Sequence, residues 1–146
     1  MNMTPKEYQE YVAKKQAKSP IVKNTALALL IGGAICTLGQ AITSGYLAAG
    51  LSAQDAGTAT SCTLVFLSAA LTGLNLYQKI ARYGGAGTLV PITGFANAVA
   101  APAIDFRAEG LVTGMAARMF FIAGPVLVFG TAASAVYGVL LWLMSL

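Results

Sequence analysis

The sequence has no histidine, and its five acidic and nine basic residues make only 10% of 146 positions charged. A soluble domain of this length carries about a quarter. Without histidine the chain lacks the usual general base and the commonest metal ligand. Its two cysteines, Cys36 and Cys62, stand apart inside apolar runs, which excludes a zinc spacing and a secreted disulfide framework and predicts buried free thiols. No glycine-rich phosphate loop precedes a Lys-Ser or Lys-Thr pair, and neither cysteine has a base partner, so no catalysis, metal or cofactor is expected. The net charge of +4 has no contiguous basic face interleaved with aromatics, which argues against nucleic-acid binding.

Apolar sequence is abundant instead, at 57% of the chain. Charge-free runs extend from Asn24 to Gln54, Ala56 to Gln78, Tyr83 to Ile104 and Met119 to Leu146. Each is at least as long as the roughly 20 residues that a helix needs to cross hydrocarbon. The expected fold is an all-α integral membrane protein. One transmembrane domain, residues 19–146, should hold helices at about 21–46, 57–77 and 119–143, with a broken or re-entrant hydrophobic segment at 84–109.

The first apolar run is too long for a signal-peptide core and is expected to be retained. Lys14, Lys15, Lys18 and Lys23 precede it and Lys79 and Arg82 follow the second run, whereas the loop between has only Asp55, so basic-residue bias puts the N-terminus in the cytoplasm. Residues 1–18 read as an amphipathic basic helix on the membrane surface. Thr4 and Glu7 have capping-box spacing, Pro5 suits the first helical position, and Tyr8, Tyr11 and Val12 form the apolar stripe. Ser19 and Pro20 should cap the first span, Tyr77 and Tyr83 suit an interfacial belt, and Trp142 suits an interfacial anchor.

The last span contains Gly124 and Pro125, a flexible point or kink, followed by Gly130, Ser134 and Gly138 at intervals of four, which lets helix backbones approach closely in lipid. Either another helix of the chain or a neighbouring subunit can fill that face. Ile31, Gly33, Gly39, Ala41 and Tyr46 also match Ile122, Gly124, Gly130, Ala132 and Tyr137 at a constant offset, a faint sign of internal repetition.

The third run differs from the others. It holds Gly84, Gly85, Gly87, Pro91, Gly94 and Pro102 with few large aliphatics, and Asn97 in its middle. Irregular backbone at membrane depth is tolerated only where protein or a watery cavity supplies its hydrogen bonds. The run ends in Asp105, Arg107 and Glu109. If helix continues from Gly94 to Glu109, Asp105 and Glu109 repel on one face near a helix C-terminus, and Gly110 is the stop. A cation must compensate: Arg118, Arg82, Lys79, a neighbouring subunit or a bound ion. Ionisable groups close to membrane depth mark functional sites by default.

Three strings carry a resemblance that periodicity does not supply: "SPIVKN" before the first span, "GGAICTLGQ" within it, and "GFANAVAAPAIDFRAEGLVTGMAARMFFIAGPVLVFG" from Gly94 to Gly130. From Ser19 onward the chain resembles the stage V sporulation protein AC family, with the related AEB proteins sharing the second half. Asp105 stands where that family is expected to have Glu, and Arg118 where Lys is expected. The resemblance implies an integral protein of the spore inner membrane. It implies a channel-forming subunit, with a suggested response to membrane tension, of a complex that moves dipicolinic acid during sporulation and releases it with calcium at germination. The implied partners are an AEB-type membrane subunit, an AD-type cytoplasmic subunit, dipicolinate or calcium dipicolinate, and lipid, in a homo- or hetero-oligomer.

On that reading Thr93, Asn97, Arg107 and Arg118 line the solute path, and Asp105 and Glu109 pair with the arginines or hold a cation. Gly124, Pro125, Gly130, Ser134 and Gly138 then form the packed or gating element. The alternative is a non-conducting membrane scaffold that recruits the permease or a cytoplasmic dipicolinate-binding partner.

Overall fold

The computed structural model describes residues 4–15 and 19–145, Ala13 and Lys14 by backbone alone. Lys18, one of the expected basic residues before the first span, lies outside the described residues. All regular elements described are helical. Helix α1 (Pro5–Lys15) starts with the expected box. The Thr4 N–H and hydroxyl donate to one Glu7 carboxylate oxygen at 2.8 and 2.9 Å, and the Glu7 N–H donates to the Thr4 hydroxyl at 3.4 Å. The Thr4 backbone N–H, aided by its hydroxyl, holds the Glu7 carboxyl below its ordinary value of 4.5. Because the folded pKa is lowered, this stabilisation is complete above the ordinary value and fades as pH falls through the lowered one.

Helix α2 (Ile21–Ala48) has 28 residues, about 42 Å at 1.5 Å per residue. Ser19 does not cap its backbone as expected; Pro20 occupies the capping position, and the Ser19 hydroxyl accepts from the Asn24 side chain at 3.3 Å. The far end closes with Gly50 at φ 92°, Gly50 N–H donating to Leu47 O and Leu51 N–H to Tyr46 O. This paired closure lets a left-handed residue satisfy the last carbonyls. Ser52 then caps helix α3 (Ala53–Gly73) by accepting from the Asp55 N–H at 3.2 Å, while its hydroxyl donates to the Asp55 carboxylate at 2.7 Å.

Helices α2 and α3 form an antiparallel hairpin. Gly39 faces Leu64, the hydroxyls of Thr43 and Thr60 meet at 2.9 Å, and those of Tyr46 and Thr63 at 2.8 Å. Small residues and interhelical hydroxyl contacts replace the hydrophobic driving force that lipid does not provide.

Helix α3 stops at Gly73, short of the expected 77, because Asn75 adopts φ 57° and repeats the same closure: its N–H donates to Thr72 O and that of Leu76 to Leu71 O. Tyr77 therefore opens helix α4 (Tyr77–Gly84) instead of ending a span. It is only 4% exposed, which removes it from the interfacial belt. Tyr83, at 65%, retains the expected exposure.

The third apolar run is broken, as its composition predicts. Gly85 at φ 47° separates α4 from helix α5 (Ala86–Leu89), and Val90 and Pro91 separate α5 from helix α6 (Ile92–Asp105). The packing partners show the path. Arg82 and Tyr83 share a cavity with Asn24, Thr25 and Ala28 near the start of α2; Gly87 lies against Ala28 and Gly32; Thr93 lies beside Ser68 and near Ile35. The chain thus rises along α2 from Gly85 to about its middle and reverses at Val90–Pro91. Helix α6 then runs parallel to α3, pairing Ser68 with Thr93 and Thr72 with Asn97. Both limbs of the segment consequently open at the end of the bundle where α2 starts, here termed the near end.

Helix α6 ends at Asp105, not at Glu109 as a continuous helix would require. Phe106 closes it, Arg107–Glu109 forms one 3₁₀ turn, and Gly110 at φ 100° stops it, as expected of that glycine. Asp105 and Glu109 are thereby freed from the repulsive i,i+4 spacing on a single helix. Leu111–Ala116 is then a π-helical turn, with Met115 N–H reaching Gly110 O at 2.9 Å, continuous with helix α7 (Ala117–Met144). Helix therefore begins well before the expected 119, and Arg118 lies within it. Among the described residues three stretches are long and apolar enough to cross a membrane: Ile21–Ala48, Ala53–Gly73 and Leu111–Met144.

Candidate functional site

The reversal of the third segment depends on close backbone approach. A Cβ on Gly87 would overlap the Ala28 carbonyl oxygen, and one on Gly94 would overlap the carbonyl oxygens of Thr88 and Leu89. Only hydrogen fits at these two positions. Around the turn the polar groups form one network. Ser68 Oγ donates to Thr93 O at 2.6 Å, and Thr72 Oγ1 donates to Asn97 Oδ1 at 2.8 Å. Tyr77 OH lies 2.8 Å from Thr88 O and 3.1 Å from Thr93 Oγ1, within reach of both, and Thr88 Oγ1 donates to Gly85 O at 2.9 Å. Ser68, Thr72, Thr88 and Thr93 are all buried. Among the described residues no buried side-chain nitrogen or oxygen lacks a partner. The protein thus supplies the hydrogen bonds that irregular backbone at membrane depth demands.

Thr93 and Asn97, both expected to line a solute path, come together here but are used differently. Thr93 commits both its carbonyl and its hydroxyl to the inner network. Asn97 is half-buried and gives only its amide oxygen, to Thr72. Its NH₂ group has no partner among the described residues and is not buried. The single Thr72 hydroxyl proton also lies within reach of Ser68 O at 2.7 Å, and when it is given there the Asn97 amide turns and donates to Thr72 Oγ1. Helix α6 also begins at the reversal, so its N-terminal dipole end is near the middle of α2.

Asp105, Arg107, Glu109 and Arg118 gather at the near end, all exposed. The Arg118 guanidinium lies over the Phe106 ring, 4.6 Å from its centroid, a cation–π contact that fixes the charge while leaving its edge open. Gly114 packs against Glu109 and Phe106, where an added Cβ would stand 2.6 Å from the Glu109 Cβ. The turn and the start of α7 are thus joined closely. No group of three or more His, Cys, Asp or Glu that could hold a metal occurs among the described residues.

The expected packing element is turned outward. Gly130, Ser134 and Gly138 are exposed, Pro125 is exposed within an uninterrupted α7, and Gly124, Gly130 and Gly138 have open space beside them. Among the described residues, nothing packs against this face. Cys36 and Cys62 are free but exposed, not buried as their apolar setting suggests, because their sides of α2 and α3 face outward from the hairpin. Sequence reasoning missed Ser68, Thr72 and Tyr77 as partners of the third segment. Ser68 and Thr72 stand four apart on α3 and Tyr77 opens α4, but their facing of the third segment follows from a parallel pairing that no local pattern encodes.

A family model described as SpoVAC/SpoVAEB sporulation membrane protein matches residues 24–140. The chain is 40% identical over 141 residues to stage V sporulation protein AC of Bacillus subtilis (strain 168), covering 96% of this chain and 94% of that protein. No solved structure matches.

Proposed function

The chain belongs to the SpoVAC/SpoVAEB sporulation membrane protein family, and from that premise we propose that it is a subunit of a spore inner-membrane channel for dipicolinic acid. The observation that carries this reading is the Asn97 amide: half-buried, held at one end by Thr72 and without a partner at the other among the described residues, on a short helix that starts near the middle of α2. Half-helices whose N-termini face a path are a recurrent way of receiving anionic solutes in membranes. Arg107 and Arg118 at the near end attract the dicarboxylate, and Asp105 and Glu109 pair with arginines across subunits or attract the accompanying calcium.

One chain with three spans does not enclose a path for an aromatic dianion. Several copies, alone or with an AEB-type subunit, surround it, and the outward face of α7 with Gly130, Ser134 and Gly138 supplies the contact. Pro125 and Gly124 give α7 its yielding point under membrane tension. The near end is the cytoplasmic side because it carries Lys23, Lys79 and Arg82, whereas Asp55 lies at the far end. An AD-type cytoplasmic subunit would dock there.

The test is purified protein in liposomes loaded with dipicolinate, with release followed with and without osmotic stretch. Asn97→Ala and Arg107→Ala should each lower release several-fold at unchanged protein content, since each removes a hydrogen bond or charge met by the solute. Unchanged release in both variants removes this segment from the path. Deleting residues 1–18 should leave release intact; failure of complex assembly without any intrinsic release would favour the scaffold.

A further inference from the structure

The near end carries a cavity that the proposed solute path does not use. It lies between the first turns of α2 and the end of α4 with the start of α5, and has a volume of about 470 Å³. Asn24, Thr25 and Ala28 line one wall, and Arg82, Tyr83 and Gly85 the other. Four of these bring hydrogen-bonding side chains: a guanidinium, an amide, an aliphatic hydroxyl and a phenol. No carboxylate lines the cavity, so the Arg82 charge faces it without an anionic counterpart. Lys23 and Lys79 adjoin the lining residues in sequence and on the α4 helix face.

A guanidinium fork flanked by hydroxyl and amide donors suits a tetrahedral oxyanion, which accepts several charge-assisted bonds at once. The position favours the membrane as its source. The cavity opens at the first turns of a 28-residue apolar helix, the level of a lipid headgroup. Ala28 also shares one helical face of α2 with Ile35 and Leu38, which line a deeper cavity of about 340 Å³ together with Leu64, Leu67 and Ile80. That deeper cavity exposes only apolar lining. Gly84 and Gly87 seat on Ile31, Ala28 and Gly32 between the two cavities, so a phospholipid held by its headgroup at the outer cavity keeps its acyl chains in the surrounding bilayer.

We propose that the cavity between α2 and α4 binds the phosphate of an anionic phospholipid, with Arg82 as its principal anchor and Asn24, Thr25 and Tyr83 as supporting donors. Lipid bound there braces α4 and the Gly85 turn, from which the re-entrant segment rises. The site rests on the cavity itself and not on the transport reading, so the two fail separately.

The test uses full-length protein in neutral detergent, with retained lipid counted by native mass spectrometry after mixing with phosphatidylglycerol or phosphatidylcholine. The wild type should retain phosphatidylglycerol about fivefold better, and Arg82→Gln should abolish that preference. Arg82→Lys should keep part of it, since charge survives without the fork. Circular dichroism establishes that each variant is folded; if Arg82→Gln fails to fold, Asn24→Ala with Thr25→Val replaces it and should weaken the preference. Equal retention of the two lipids, or an undiminished preference in folded Arg82→Gln, overturns the proposal. So does displacement of phosphatidylglycerol by millimolar inorganic phosphate, which would identify a site for free anions.

Discussion

Gly87→Ala should prevent stable accumulation of the protein in the membrane. The new methyl group would overlap the Ala28 carbonyl oxygen, with the Ala28 carbonyl carbon and Cα 2.8 and 2.9 Å away. These are backbone atoms in the interior of α2, and they have no rotamer through which to yield. The opposite side of the contact is equally tight, since a Cβ on Gly32 would stand 3.0 Å from Gly87 O. The segment and α2 must separate, at a cost of about 3 kcal/mol or more, the upper part of the range for overpacked sites. Without that contact the segment loses its seat and its reversal. Gly33→Ala is the matched comparison. It adds the same methyl one residue further along α2, where nothing lies within 4 Å, and should leave accumulation unchanged. Quantifying both variants in isolated membranes, and their melting in detergent, checks the claim. Similar behaviour of the two would mean that α5 does not seat on α2 in this way.

Tyr77→Phe should fold but open the turn. The phenol is the group that Thr88 O and Thr93 Oγ1 share, and it is buried. Removing it leaves a buried carbonyl without its side-chain donor, in a cavity the size of one hydroxyl group. A loss of about 1–3 kcal/mol is expected, the range for an orphaned buried polar group. That loss falls on the linkage between α4 and the reversal at Val90–Pro91, so hydrogen exchange should speed up at residues 86–94 and not along α2 or α7. Thr93→Val removes the same hydroxyl partner from the other side. If the two act through one bond, the double variant should cost less than the sum of the single ones. Additive effects, or uniform loosening of the bundle, would disprove a local role for the phenol.

Much of this protein was legible in its sequence because lipid imposes a simple rule. With few charges and long apolar runs, the chain must satisfy its backbone by helix formation. The spans Ile21–Ala48 and Ala53–Gly73 and the last helix were therefore visible, as were the break in the third run and the stop at Gly110. The capping box of Thr4 and Glu7 was equally visible, because it depends on residues three apart.

What only the tertiary structure decided concerns direction and partners. The parallel pairing of α6 with α3, read from Ser68 with Thr93 and Thr72 with Asn97, brings Asp105 to Arg118 to the same end as the start of α2. Counting charges could not do this, because residues 105–118 hold two acids and two bases. The burial of Tyr77, the outward position of Cys36 and Cys62, and the split between a committed Thr93 and an available Asn97 were likewise hidden. The physical reason is common to all of them. In a chain where nearly every side chain is apolar enough for lipid, composition selects the helices, while steric fit at glycines and a few hydroxyl contacts selects which faces meet.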